Sequence, residues 1–460
     1  MAPIATEGAL VSLIGAGERR ISFVSHSFND EGCNNSVSTT YNVGVKDKRL
    51  PVVFLIVFTN LLGAGVVIPT LPLYAEGQFG ANAFEAAVFV AIYYVAQFIA
   101  SPVLGHWADR FGRRPVLIWS QFGTIVSFLL FIFALPIGGV FGRMGLPFLA
   151  DGLGILFFAR LLDGITGGNI TAAQAYIADI TTDEERASAL GYIHIAFASG
   201  IVFGPGLGGL LVNFGFLFPF VGAAIITTIS FLLTIALLPE SLASEDRAKG
   251  KRQHTARDQW RGFLYNETIW IVLALAFTVN FVVASLSATF PLFAKYIAFP
   301  AMADEPVARN VGLMMAYIGI IAILTQVFTI KPLVRRFGEV NVVILSIGSA
   351  LLTGLALTFL SNPIWITLAL TPAAFGYSLG LPTGESILVG EGDEQSNGQL
   401  MGLYNAVNSA AYVAGPIVGG ILFELISPRS PFVFASMLAI VVLGLAFRLK
   451  PRTIQNKRSH

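Results

Sequence analysis

Twelve long apolar stretches dominate this chain, at 50–74, 84–107, 114–136, 152–176, 187–212, 216–238, 267–292, 311–333, 340–361, 363–386, 398–424 and 430–449. Each holds about 20 or more residues with few charges, enough for a helix to cross roughly 30 Å of hydrocarbon. Inside hydrocarbon a backbone group must bond within its own segment, so each run is expected to be helical. The composition agrees. Of 460 residues, 55% are hydrophobic and 12% charged, against about 25% charged in soluble chains, and the mean hydropathy is +0.73. With 28 Lys and Arg against 27 Asp and Glu, the net charge is +1, which excludes a nucleic-acid binder. The single cysteine, Cys33, rules out a disulfide framework and a thiolate metal site. Neither a Gly-x4-Gly-Lys-Ser/Thr loop nor an HExxH pattern occurs, so ATP-driven work and zinc hydrolysis are set aside. The reading is an all-α membrane protein that is not an enzyme and holds no metal.

Lysine and arginine set the orientation, because short cytosolic loops retain them. With the N-terminus in the cytosol, the cytosolic segments hold 23 of them. The outer segments hold 4: Arg143, Lys295, Arg309 and Arg429. Both termini are therefore expected in the cytosol, in a multi-pass protein of the cell membrane. Residues 1–49 form a polar tail whose mildly apolar 8–17 precede Arg19 and Arg20. That order is the reverse of a secretory signal, and the tail is expected to be disordered and cytosolic. Residues 240–266 are polar and charge-rich, as a linker between two bundles at 50–239 and 267–449 would be. Residues 450–460 complete the chain as a cytosolic tail.

The two halves repeat each other. Phe58-Thr59 and Pro72-Leu73-Tyr74-Ala75 recur 219 residues on as Phe277-Thr278 and Pro291-Leu292-Phe293-Ala294. Gly191, Gly204-Pro205 and Gly208-Gly209 recur 211 residues on as Gly402, Gly415-Pro416 and Gly419-Gly420. Asp109-Arg110-Phe111-Gly112-Arg113 faces Arg335-Arg336-Phe337-Gly338-Glu339 at an offset of 226. A duplicated six-helix unit suits a transporter whose halves rock about a midplane site.

The loop between spans 2 and 3 reads Gly105-His-Trp-Ala-Asp109-Arg110-Phe-Gly112-Arg113-Arg114-Pro115. Around it stand Gly65-x3-Pro69-x2-Pro72, Arg160-x3-Gly164, Gly200-x3-Gly204-Pro205-x2-Gly208-Gly209 and Ala175-Tyr-Ile-Ala-Asp179, followed by Asp183-Glu-Glu-Arg186. Carrying these motifs, the chain from about 50 to 449 resembles the major facilitator superfamily, in its drug:proton antiporter branch and near the tetracycline-efflux transporters. The resemblance implies twelve helices in two pseudo-symmetric bundles and export by alternating access, driven by the proton gradient without a cofactor. It further implies partners limited to a small-molecule substrate, protons and the lipid bilayer, with a functional monomer. Gating falls to Gly105, Asp109, Arg110, Gly112, Arg113 and Arg114, and the antiporter-type motif to Gly200, Gly204, Pro205, Gly208 and Gly209. No motif names the substrate.

Elementary physics gives these residues roles of their own. Gly105 permits close helix approach. Asp109 at the membrane boundary needs a counter-charge or a helix N-terminus. Ser396-x-x-Gln399 has the pattern of a capping box and would aim the positive end of span 11 at that surface. We therefore expect Asp109 and the arginines to latch the halves in the outward-open state, with topology anchoring as the plainer alternative. In the second copy Arg335 replaces Asp109, so that latch is expected to be degenerate. The span 5 glycines are expected to seal the outer side of the first bundle.

Charges inside a span face protein or a water-filled cavity. Arg160, Asp163, Gly167, Thr171 and Gln174 share one helical face, and Arg160 and Asp163 are i,i+3 neighbours that can pair. Asp163 is the first candidate for proton coupling; the alternative is a static pair that holds the helix. Glu385 is the second candidate, expected opposite Gln174 across the cavity or at the cytosolic edge. Histidine as a residue type changes charge near neutral pH, which makes His194 a third candidate. Asp179 is expected to meet Arg186 or Arg110. Asn60 stands where tetracycline exporters commonly carry an acid, and an amide carries no proton. Asn60, Gln97, Gln121, Gln174, Asn280, Gln326, Asn405, Asn408 and Tyr412 are candidates for lining a pocket, or else for bonding neighbouring helices. Uptake of a sugar, organic acid or peptide, and a non-transporting receptor, are the rival functions.

Overall fold

The computed structural model describes residues 20–26, 36–42, 49–145, 150, 152–181, 183–241, 266–391 and 397–449. Within the tail, β1 (Arg20–His26) pairs antiparallel with β2 (Ser36–Asn42), Arg20 opposite Asn42 and His26 opposite Ser36. These two stretches depart from the irregular tail read from composition. Most of the linker and all of residues 450–460 lie outside the described residues, as does Ser396 of the capping pattern.

The first bundle contains α1 (Leu50–Val67), α2 (Leu71–Phe79), α3 (Ala83–Phe111), α4 (Arg113–Ile132) and α5 (Ala134–Arg143). It continues with α6 (Leu153–Gly167), α7 (Ile170–Ile180), α8 (Asp183–Leu211) and α9 (Phe218–Leu237). The second contains α10 (Glu267–Phe293), α11 (Asp304–Leu324), α12 (Ile330–Phe359), α13 (Pro363–Glu391), α14 (Asn397–Leu425) and α15 (Ser430–Ala446). Nine helical stretches among the described residues are long and apolar enough to cross a membrane. One of them, Asp304–Phe359, carries two of the apolar runs, and the shorter helices Val202–Phe214 and Ser430–Ala446 carry two more, which is consistent with twelve spans. Trp119, Phe359 and Trp365 are more than half exposed on the flanks, where hydrocarbon rather than water would meet them.

Several spans are broken where the sequence read them as continuous. Span 1 parts into α1 and α2 at Ile68-Pro69-Thr70, where proline removes a backbone donor. Span 4 parts into α6 and α7 at Gly168-Asn169. Spans 8 and 9 run together, joined by a π-helical stretch at Thr325–Thr329 and turned at Gly338.

The duplication is built into the backbone. Gly112 turns the chain between α3 and α4 with φ 107 and ψ 157, and Gly338, 226 residues on, does so with φ 78 and ψ 161. A side chain is strained at such positive φ, which is why both copies keep glycine. The Ser120 hydroxyl donates to Thr166 O, and Ser346, also 226 residues on, donates to Gly376 O at 2.6 Å. A methyl group on Gly204 of α8 would lie 2.7 Å from Gly65 Cα of α1, and one on Gly415 of α14 2.6 Å from Phe281 O of α10. Both contacts are too close for any side chain, so the glycines draw α8 onto α1 and α14 onto α10.

Arg448 lies 3.8 Å from Glu267, and Asn266 donates to Glu391 at 3.0 Å, so these ends of the second bundle share one face. Gly112 and Glu240 belong to it as well, and we refer to it as the terminal face, its opposite as the distal face. At the distal face the bundles are joined by one apolar cluster in which Leu73, Ala83, Ala86 and Val212 pack with Phe290, Phe293 and Val311. A methyl group on Gly420 of α14 would come within 2.5 Å of Ala87 Cβ of α3. Towards the terminal face a methyl group on Gly105 of α3 or Gly402 of α14 would meet nothing within 4 Å. Among the described residues the distal seam is thus packed, and these two glycines face open space.

Candidate functional site

At mid-depth α6 presents Arg160 and Asp163, both buried, with Arg160 Nη1 donating to Asp163 Oδ2 at 2.8 Å. Gly164 makes this possible. It lets α6 lie against α3, where a methyl group would reach 2.7 Å from Ala96 Cβ, and Arg160 Nε thereby donates to Phe89 O at 3.1 Å. The guanidinium also sits 4.6 Å over the Tyr93 ring, a cation–π contact. The pair is thus neutral as a unit and held on three sides. Either charge left alone there would be buried without a counter-charge, which is costly.

Tyrosines carry this centre to the second bundle. Tyr93 meets Tyr94 edge-on at 5.2 Å, and Tyr94 of α3 stacks on Tyr412 of α14 with ring centroids 4.9 Å apart. The Tyr412 hydroxyl lies 3.4 Å from that of Tyr377 of α13. Tyr412 was legible as part of a polar face on α14. Tyr93, Tyr94 and Tyr377 were not, since nothing in a helical period marks a tyrosine that pairs with a ring some 300 residues away.

The other polar candidates divide. Gln97 donates to Gly167 O at 3.0 Å, Asn60 to Asn169 Oδ1 at 2.8 Å, and Asn280 to Asn408 Oδ1 at 2.9 Å. Gln121 donates to Thr234 at 2.9 Å. These amides tie helices within a bundle. Gln174, Gln326, Glu385 and Asn405 are exposed. On α13, Thr371 pairs with the Tyr317 hydroxyl at 2.8 Å and Ser378 donates to Ala322 O at 3.1 Å, so that face binds α11. His194 lies on α8, and its side chain is outside the described residues.

On the terminal face Asp109 pairs with Arg113 at 2.5 Å, and Arg113 Nε reaches Asp179 Oδ2 at 3.1 Å. Arg113 is thus a described partner of Asp179, with the Ser241 hydroxyl, which donates to it at 3.0 Å; Arg110 lies over Phe111, and the Arg186 side chain is outside the described residues. Gly105 faces open space, so the close approach expected of it is absent in this conformation. Glu240, unnoticed in the sequence, accepts from Arg113 N at 2.8 Å and Arg114 N at 3.2 Å, and so caps α4 just after Gly112. Arg114 Nη2 donates to Ile235 O at 2.8 Å.

On α8, Gly200, Gly204 and Gly208 face α1, as does the ring of Pro205 beside Gly65, whereas Gly209 and the Pro205 carbonyl face α11 of the other bundle. A methyl group on Gly209 would lie 3.0 Å from Gly312 Cα. The motif therefore packs within the first bundle and across the distal seam at once. That seam also carries charge: Lys295 Nζ lies 3.1 Å from Glu76 of the first bundle and 2.7 Å from Asp304 of its own. The Tyr296 hydroxyl donates to Glu76, and Glu424 accepts from Ala83 N at 3.1 Å. No group of metal-binding side chains occurs among the described residues.

Comparison with known proteins gives this geometry a context. The chain is 30% identical over 408 residues to multidrug resistance protein 2 of Bacillus subtilis, covering 87% of this chain and 96% of that one. It is 30% identical to the class C tetracycline resistance protein of Escherichia coli, covering 81% and 89%. Among solved structures, the nucleoside transporter NupG aligns with a TM-score of 0.66 at 14% identity, over 88% of this chain and 100% of that one. A bacterial homolog of the human lysosomal transporter Spinster, in an inward-facing and occupied conformation, aligns with a TM-score of 0.63 at 15% identity, over 86% and 95%. The Major Facilitator Superfamily profile matches residues 53–390 and 296–460. The two-bundle architecture, the repeat and these matches agree: this chain is a multi-pass membrane transporter of the Major Facilitator Superfamily.

Proposed function

We propose that the chain exports a small amphipathic compound in exchange for protons, by alternating access between two bundles. The observation that carries this reading is the buried Arg160–Asp163 pair, placed at mid-depth beside the tyrosine stack that joins the bundles. The relatives named for multidrug and tetracycline resistance support export of a drug-like compound. The Lys and Arg count supports a cytosolic terminal face. On that assignment the conformation described here is open to the cytosol.

The cycle then needs Asp163 in two states. Open to the cytosol, its carboxylate is held by Arg160 and the pocket receives the compound. Open to the outside, the carboxylate takes a proton and Arg160 is released to other acceptors, with the compound expelled. Return to the cytosolic side restores the pair and delivers the proton inward. Asp109 and Arg113 would latch the terminal face shut in the outward-open state, when α3 and α14 close over Gly105. Neither step requires a cofactor or a second chain. Asn60 in span 1 argues against a tetracycline site of the usual acidic kind.

Purified protein in proteoliposomes with an imposed pH gradient tests this. Adding a transported compound should collapse the gradient and move compound against its own concentration, and Asp163→Asn should abolish both. Compound movement that ignores the gradient defeats proton coupling, and accumulation inside intact cells defeats export.

A further inference from the structure

The centre of the second bundle holds a cavity of about 40 Å³ between α10, α12, α13 and α15, with Ala350, Thr353, Gly354, Gly376, Tyr377 and Phe432 in its wall. The repeat places different side chains at the matching positions of the two bundles. At the offset of 226 that places Ser120 on Ser346, Gly354 corresponds to Phe128 and Leu357 to Phe131. Phe128 and Phe131 are fully buried and fill the first bundle, Phe131 stacking on Phe220 at 5.1 Å. Thr353 corresponds to Ser127, whose hydroxyl donates to Ala159 O at 2.7 Å. The Thr353 hydroxyl is buried and has no hydrogen-bond partner. An unsatisfied buried hydroxyl beside an unfilled space is unfavourable unless another arrangement of the site satisfies it.

Tyr377 is the group that can provide one. Its ring separates this cavity from the tyrosine stack, and it is weakly held on the stack side. Its hydroxyl stands 3.4 Å from that of Tyr412, well beyond the usual 2.7–2.8 Å between hydroxyls. It rides on a helix with prolines at 372 and 382, where lost backbone bonds allow bending. We infer that Tyr377 is a movable wall of the substrate site, retreating into the cavity beside Thr353 to admit larger compounds, and so sets the upper size that the transporter accepts. The cavity has room for the edge of a ring rather than a whole one, which suits a shift of the phenol and not a flip through the bundle. This inference rests on the exporter reading and deepens it, assigning size selection to the second bundle and leaving the charged pair to the first.

The test is extrusion, from cells, of fluorescent dyes graded from two to four fused rings, with Ala350→Leu to fill the cavity and Ala350→Val as a milder filling. Filling should lower extrusion of the largest dye at least fivefold and leave the smallest within twofold. Tyr377→Ala, which removes the wall, should make the Ala350→Leu change silent across the series. Protein level and melting temperature, read on the same variants, separate loss of size selection from loss of fold. A wild type that extrudes the series while both Ala350 variants match it dye for dye overturns the inference alone. So does an equal loss of all dyes in folded protein, or an Ala350→Leu effect that persists in Tyr377→Ala. A wild type that extrudes no dye defeats the exporter reading, and the inference with it.

Discussion

Asp163→Asn puts the central reading at most risk. The two charges are 2.8 Å apart, and at an effective dielectric near 20 their attraction is about 6 kcal/mol. Desolvation offsets part of this, and removing one partner of a buried pair costs about 3–5 kcal/mol because the other is left uncompensated. For a bundle of this size that corresponds to a fall of roughly 6–20 °C in melting temperature. Removing both charges, as in Arg160→Met with Asp163→Leu, leaves no orphan and should recover most of the loss. Proton coupling would not recover with it. The assay is therefore paired: thermal unfolding of the purified protein, and compound-driven proton movement in vesicles. Stability restored with coupling still absent is the expected result. If the double variant regains coupling, Asp163 carries no proton. If Asp163→Asn melts within 2 °C of wild type, the pair is not held as described.

Three further outcomes follow from the packing. Gly204→Ala sets a methyl group 2.7 Å from Gly65 Cα, about 1 Å inside van der Waals contact; it should cost about 1–3 kcal/mol, read as a lower melting temperature. Glu240→Ala uncaps Arg113 N and Arg114 N and should cost about 2 kcal/mol, whereas Glu240→Gln, which keeps an acceptor, should cost less in the same thermal scan. Glu76→Gln loosens the distal seam at Lys295 and should shift the balance towards the distal-open state by at least about tenfold, since a charged hydrogen bond contributes about 1.5–3 kcal/mol, which is about 10- to 150-fold; thiol labelling at Ala87→Cys from outside the cell reports it.

Much of this molecule is written in its sequence at the level of the backbone. Apolar runs announce spans because hydrocarbon admits little else, and the glycines at 112, 204 and 415 announce turns and helix contacts because no other residue fits there. Arg160 and Asp163 were legible as a pair because three residues of helix fix their separation. The breaks at Pro69 and Gly168 were masked by apolar neighbours on both sides. Contacts between segments far apart in the chain left no periodic trace: Tyr94 with Tyr412 and Glu76 with Lys295 across the bundles, and Glu240 with the start of α4 within the first. Charge signs alone could have nominated Glu76 and Lys295, since both fall at the distal ends of repeat-related spans.

Lys295 has one further consequence. Its ammonium is shared between an acid of its own bundle, Asp304, and one of the other, Glu76. When the seam parts, the ammonium travels with Asp304 and is never stripped bare, and only Glu76 and Tyr296 trade each other for water. The lock is thus a handover, in which one tenant leaves and the other stays, and its release is sensitive to dissolved salt. The distal side thus pairs a salt-tuned fastening with the dry, glycine-packed surfaces behind it, which ions do not reach.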